Sequence, residues 1–189
     1  MMKRNCLMFA TVACFFFARF VSAQTCRPPG SFVGAGGGYE YIANGQPTNS
    51  SCWIMSGNVQ VIHVNDCGFF HDADNTFDMH YGARLSQEFT VPAANTQTHW
   101  GLSYDLTMQD PNNDGWWNRL KATVYDVTAG RNIASETYWG DDPDVSCADR
   151  RLTFTGNLAG HTLRVIFSDG SAYSNTVFHV RSISLIQTN

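Results

Sequence analysis

The chain has 189 residues, a formal net charge of −4 at pH 7 and an apolar fraction of 43%, values that fit one globular domain with a single core. A surface with an acidic excess does not neutralise phosphates, so the charge argues against nucleic acid as a partner. It is compatible with a bound cation or a neutral ligand.

Residues 1–23 have the three parts of a secretory signal peptide. Lys3 and Arg4 form a basic start, a mostly apolar stretch follows, and small residues precede a cleavage position after Ala23. The alternative is a retained membrane anchor, but Arg19 leaves the apolar run shorter than the roughly 20 residues that span a bilayer. We therefore predict cleavage and a secreted protein, extracellular or, in a bacterium, periplasmic or on the cell surface.

Cleavage changes the charge of what remains. The signal peptide holds three cationic residues and no acidic one, so its loss takes the net charge from −4 to −7. No later segment is long and apolar enough to span a membrane. Residues 24–50 are rich in glycine and weakly patterned, which indicates an N-terminal segment that wraps the domain formed by residues 51–189.

Four cysteines remain after cleavage, namely Cys26, Cys52, Cys67 and Cys147. An even number of cysteines in an exported chain predicts two disulfides. Three pairings are possible, of which we favour Cys26–Cys52 with Cys67–Cys147. A zinc site is the alternative, and the absence of any CxxC pair argues against it.

Apolar residues fall on every second position in several runs, a period that predicts β-strands and that a helix would not produce. The clearest run is 99–108, and in 84–91 Gln87 sits on the apolar phase. Near Arg181 the alternation changes phase within one run, which predicts a β-bulge. The same period marks the remaining runs, at 118–127, 152–154, 163–167 and 178–185.

Clusters of turn-forming residues separate the strand runs. Runs spaced in this way, with no helical pattern between them, predict an all-β fold in which two antiparallel sheets form a sandwich. We expect about eight to ten strands in a jelly roll. The clusters lie at 34–38, 111–115, 141–144 and 169–171.

The order of these motifs resembles that of the galactose-binding-like β-sandwiches, the jelly-roll family that includes many carbohydrate-binding modules. Residues 52–62 are similar to the opening strands of that family, and residues 82–89 (GARLSQEF) to its "G.LSQ.F" strand. Residues 99–106, 120–126 and 154–185 then follow in the family's order. The resemblance implies a jelly-roll fold and carbohydrate binding, often beside a structural calcium ion.

The densest polar cluster is a candidate calcium site. Asp110, Asn112 and Asp114 alternate before a glycine, and hard cations need several such oxygen ligands on a tight turn. Lys121 stands where an EF-hand has its bidentate acid, so an EF-hand is excluded. Asp142, in the next acidic loop, is a candidate fourth ligand. The alternative is a solvated hairpin turn.

Two pairs of adjacent aromatic residues flank these acidic loops, Trp116 with Trp117 and Tyr138 with Trp139. Neighbours on a strand point to opposite faces, so one member of each pair can join the core while the other is exposed. An exposed aromatic ring stacks on the apolar face of a sugar while nearby polar groups bind the hydroxyls. All four are therefore candidate ligand-binding residues; the alternative is that they seal the ends of the sandwich.

A transition-metal site is a weaker candidate. It consists of His71, Asp72, Asp74, Asp78 and His80, because Asp78 and His80 would share one face of a strand. The alternative is that these are ordinary surface residues.

Catalysis has little support in the sequence. It contains no GxSxG, HExxH or P-loop motif. A glycosidase needs two carboxylates at a set separation, for which Asp72, Asp78 and Glu88 are the best candidates. We therefore hypothesise a secreted, non-catalytic glycan-binding domain. The alternatives are a structural or protein-binding module of a matrix or cell surface, and a polysaccharide-active enzyme; no motif indicates the oligomeric state.

Overall fold

The computed structural model describes residues 53–63, 75–110, 117–140, 148–171 and 176–187. Several predictions lie outside these ranges. They concern the signal peptide, the N-terminal segment, the four cysteines, Asn112, Asp114, Trp116, Asp142, and His71 with Asp72 and Asp74.

The described residues form ten β-strands arranged in two antiparallel sheets. Sheet 1 has the order β1-β4-β9-β6-β7 and sheet 2 the order β2-β3-β10-β5-β8, so the chain crosses repeatedly between the sheets, as in a jelly roll. This confirms the prediction of an all-β sandwich. The strands are β1 (Ile54–Ser56), β2 (Val59–His63), β3 (Asn75–Met79), β4 (Arg84–Thr90), β5 (His99–Gln109), β6 (Arg119–Asp126), β7 (Arg131–Trp139), β8 (Ala148–Thr155), β9 (Thr162–Asp169) and β10 (Val177–Gln187).

The core lies between the two sheets and is built from the predicted alternation. Trp100 and Tyr104 of β5, in sheet 2, face Leu120 and Val124 of β6, in sheet 1, and all four side chains are buried. Burial of apolar surface is the main stabilising contribution, at about 25 cal/mol per Å² removed from water. Gln87 is buried on the apolar phase of β4, as predicted. The described residues contain no helix that is long and apolar enough to cross a membrane.

The predicted bulge is present in β10. Its register against β5 shifts between Arg181 and Ser184. Val180 before the shift and Ile183 after it are both buried, although an uninterrupted strand would point them to opposite faces. The extra residue therefore keeps both halves of β10 packed on the core.

Candidate functional site

The candidate site lies at one end of the outer face of sheet 1, where β6 begins and β7 ends. Arg119 pairs with Trp139 and Lys121 with Thr137 across the two strands. One step further, the Gly140 N–H donates to the Asn118 carbonyl at 2.9 Å, so the pairing continues past the strand ends. Directly paired residues in an antiparallel sheet share a face, so these side chains project from the outer face together.

The aromatic pair on β7 divides between core and surface. Trp139 is 45% exposed, whereas Tyr138 is 2% exposed, because successive side chains of a strand alternate between faces. The Tyr104 hydroxyl donates to the Tyr138 hydroxyl at 2.7 Å, and burial raises the pKa of both phenols, so both stay neutral. Tyr138 belongs to the core, which corrects its prediction as a ligand-binding residue.

Trp117 adds a second ring at this end of sheet 1. It is 48% exposed, whereas Asn118 is buried, Arg119 exposed and Leu120 buried. Trp117 lies two residues before β6 begins. The structure thus places two exposed indoles, Trp117 and Trp139, at the same end of sheet 1.

A cavity of about 270 Å³ lies beside Arg119, the residue that pairs with Trp139. It is lined by Arg119, Lys121, Thr137, Ser168 and Gly170. The Arg119 guanidinium carbon lies 5.8 Å from the centroid of the Trp139 ring, within the range of a cation–π contact. Arg119 Nε also donates to the Gly170 carbonyl at 3.2 Å, so its side chain is held between the ring and the cavity.

A row of charged and hydroxyl side chains crosses the whole of sheet 1 beside this cavity. Strand pairing places Ser56 next to Arg84, Arg84 next to Ser168, Ser168 next to Lys121, and Lys121 next to Thr137. The sequence analysis did not single out Arg84, Arg119 or Lys121 as site residues. Arg119 and Lys121 are two residues apart on β6, and Arg84 joins them only because β9 lies between β4 and β6.

Asp110 is the described member of the candidate calcium site. It follows the last residue of β5, and its Oδ1 atom is buried without a hydrogen bond to any described residue. A buried carboxylate oxygen is costly unless it is paired, so this atom fits a cation ligand. The described ranges by themselves hold no group of three or more histidine, cysteine or acidic residues that could bind a metal.

Asp78 and His80 do lie together on sheet 2, and a residue that the sequence analysis missed joins them. His80 Nε2 is 2.9 Å from Asp78 Oδ2, and His179 Nε2 is 3.5 Å from Asp78 Oδ1. His179 pairs directly with Asp78 across β10 and β3, and both side chains are buried. The Asp78 carboxylate is therefore held between two imidazoles.

The carboxylates of Asp78 and Glu88 are not brought together. Asp78 alternates with Phe77 and Met79, which face the core, so it lies on the outer side of sheet 2. Glu88 lies on the outer side of sheet 1, where it forms an ion pair with Arg164. The two are thus on opposite sides of the sandwich and cannot flank one glycosidic bond, which corrects their pairing as a candidate for catalysis.

No protein-family model and no curated protein matches the chain. Solved structures do match. The carbohydrate-binding module TmCBM61, in complex with beta-1,4-galactotriose, aligns with a TM-score of 0.51 and 14% identity over 73% of this chain and 90% of its own. The bacteriophage CBA120 tailspike protein 4, represented by its enzymatically active domain, aligns with a TM-score of 0.50 and 15% identity over 77% of this chain and 20% of its own.

A third match is a non-crystalline cellulose specific carbohydrate-binding module, CBM28, with a TM-score of 0.47 and 12% identity over 84% of this chain and 96% of its own. The match to TmCBM61 shows that the chain has the β-sandwich fold of that carbohydrate-binding module, as the order of its strand motifs implied. A fold of this kind does not define the ligand, which depends on the residues of the site.

Proposed function

We propose that this protein is a secreted, non-catalytic glycan-binding domain whose sugar-binding surface is centred on Trp139. The observation that carries the proposal is an indole that is 45% exposed and in cation–π contact with Arg119, whose side chain lines a cavity of about 270 Å³ together with other polar groups. Such a ring stacks on the apolar face of a pyranose, and the surrounding polar groups hydrogen-bond its hydroxyls. The fold shared with TmCBM61 supports this function.

The cavity supplies the polar groups that a sugar would need. Thr137 and Ser168 offer hydroxyls that both donate and accept hydrogen bonds, and Arg119 and Lys121 offer donors. Trp117, exposed at the same end of sheet 1, provides a second stacking surface for a longer glycan. Trp116, its neighbour in the sequence, remains a candidate ligand-binding residue.

Trp139→Ala is expected to weaken glycan binding about tenfold, because an aromatic contact contributes about 0.5–1.5 kcal/mol beyond the area it buries. The glycan is first identified on an array with the secreted chain, and its affinity is then measured by calorimetry. Met55→Ala is the matched control, because Met55 is 40% exposed on β1, at the other edge of sheet 1. Equal loss in both variants would contradict a site at Trp139.

The same array separates the alternatives. Failure to retain any glycan, together with recovery of a protein partner from the extracellular medium, would instead support a structural or protein-binding module. Release of reducing ends from a bound polysaccharide would support an enzyme.

A calcium ion is the second part of the proposal. Asp110, with its buried and unpaired Oδ1 among the described residues, would share the ion with Asn112, Asp114 and Asp142. Carboxylate and amide oxygens are the ligands that calcium prefers, and a ligand that binds only the folded state stabilises it.

EDTA is therefore expected to lower the melting temperature of the wild-type protein, and added calcium to restore it. Asp114→Ala should abolish this response, whereas Asp149→Ala, which changes an exposed acid on β8, should retain it. A wild-type protein that melts at the same temperature with and without EDTA would exclude the ion.

A further inference from the structure

Two cations, Arg119 and Lys121, line the cavity near Trp139, and a third, Arg84, pairs with Ser168 of its lining. Arg84 and Lys121 lie in the row that crosses sheet 1, on either side of Ser168, and Arg119 lies one row further along the same face, opposite Trp139. We call Arg84, Arg119 and Lys121 the basic cluster. The basic cluster lies next to the hydroxyls of Thr137 and Ser168 and to the exposed indole of Trp139.

The register of sheet 1 places none of its described acidic residues next to the basic cluster on the outer face. Among its described strands, Glu88 is the one acidic residue whose register places it on the outer face, and it is paired with Arg164. Glu136 and Asp169 pair with Ala122 and Leu120, which face the core. The outer face of sheet 1 is thus basic although the chain as a whole carries a net charge of −4.

Asp169 lies between two residues that line the cavity, Ser168 and Gly170, and its carboxylate accepts two backbone hydrogen bonds. Its Oδ2 accepts a hydrogen bond from the Gly82 N–H at 3.1 Å, and its Oδ1 accepts one from the Ser171 N–H at 2.7 Å. Burial raises the pKa of Asp169 in spite of these bonds. Asp169 therefore does not neutralise Lys121 on the opposite side of the sheet.

Two members of the cluster have no counter-charge among the residues that the structure describes. Lys121 and Arg84 form no ion pair with any residue in the described part of the chain, and Arg119 is held by a carbonyl and an indole rather than by a carboxylate. Cations that border a concave surface raise the local concentration of anions and bind them with charge-assisted hydrogen bonds.

We infer that the glycan bound beside Trp139 is acidic, with a carboxylate or sulfate that binds Lys121 and Arg119 while a sugar ring stacks on Trp139; this inference rests on the glycan-binding function proposed above. The anionic group enters the cavity between the two cations. Arg84 lies on the far side of Ser168 and binds a second anionic group of the same glycan. A neutral glycan would offer no anionic group to Lys121 or Arg84.

The test compares polymers that differ only in charge. Polygalacturonate carries one carboxylate on each sugar, and its methyl ester has the same backbone without the charge. Isothermal calorimetry of the secreted chain is expected to show at least tenfold tighter binding to the acid than to the ester, with an affinity that falls as salt is added. Chondroitin sulfate, compared with its desulfated form, distinguishes a preference for sulfate from one for carboxylate.

Single substitutions of charged residues test where the acidic polymer binds. Lys121→Glu is expected to weaken binding to the acidic polymer at least tenfold and to weaken binding to the neutral ester much less, so that most of the preference for the acid is lost. Arg131→Glu is the matched control, since Arg131 is an exposed cation at the far end of β7, and it should bind like the wild type. Lys121→Gln serves in place of Lys121→Glu if the charge reversal impairs folding, which the melting temperature reports.

The outcomes separate this inference from the function on which it rests. Equal affinity for the acid and the ester, lost in Trp139→Ala, would overturn the acidic ligand and leave glycan binding intact. Binding to neither polymer nor to any array glycan would overturn both. Equally tight binding to duplex DNA or to anionic lipid vesicles, or an equal loss in Arg131→Glu, would mean non-specific attraction of polyanions and would also overturn the inference.

Discussion

Replacement of Asp126 by Asn is expected to lower the free energy of unfolding by about 3 kcal/mol at pH 7, because it removes the charge from a buried and fully paired carboxylate. Asp126 ends β6 and is completely buried. Its Oδ1 accepts a hydrogen bond from the Ala129 N–H at 2.9 Å, and its Oδ2 lies 2.8 Å from His161 Nδ1. The carboxylate thus ties the turn after β6 to the residue that precedes β9.

The pH dependence of this effect follows from the direction of the pKa shift. Burial acts to raise the pKa of Asp126, but hydrogen bonds from Ala129 and His161 outweigh it, and the pKa lies below its ordinary value. The unfolded state therefore takes up the proton first as the pH falls. The stabilisation is complete above the unfolded pKa of about 3.9 and is lost as the pH falls through the folded pKa.

Urea unfolding followed by tryptophan fluorescence, at pH 7 and again near pH 3, measures both parts of this prediction. Glu88→Gln is the control, because the Glu88–Arg164 pair is exposed and such pairs contribute about 0–1 kcal/mol. A loss for Asp126→Asn no larger than that for Glu88→Gln would contradict the prediction. So would a difference from the wild type that grows toward acid pH.

The second large effect is expected at Gly57, in the turn between β1 and β2. Gly57 has a φ of +71°, and a Cβ atom built on it would lie 2.3 Å from the Gly82 carbonyl oxygen. The obstacle is backbone, which cannot rotate away as a side chain can. Gly57→Ala is expected to cost about 3 kcal/mol, of which about 1 kcal/mol is backbone strain and the rest is the clash.

Gly82→Ala is the matched control for this variant. Gly82 has a φ of +74°, close to that of Gly57, but a Cβ atom there would meet no atom within 4 Å. It should cost only the strain of the left-handed backbone, about 1 kcal/mol. Thermal or urea unfolding of the two variants separates the energetic cost of backbone strain from that of the steric clash. Equal losses of stability would show that the contact between the two turns is not tight.

The sequence predicted which residues face the core, but it could not predict which residues become neighbours on the outer faces of the sheets. Arg84 and Lys121 look like ordinary solvated residues on two distant strands, and β9 brings them into one row only because it lies between β4 and β6. In the same way, His179 meets Asp78 only through the pairing of β10 with β3. Neither pairing has a local signature, since strand order depends on the whole fold.

The sequence by itself determined six of the strands, β4, β5, β6, β8, β9 and β10, together with their residues that face the core and the bulge near Arg181. These features follow from the pleat of a strand, which points alternate side chains to opposite faces. Buried residues therefore recur at every second position of the sequence. It also indicated that Tyr138 and Trp139 would point to opposite faces. Only the tertiary structure decided that Tyr138 faces inward and that Trp139 stands beside a basic cavity, because those depend on which strands pair and in what register.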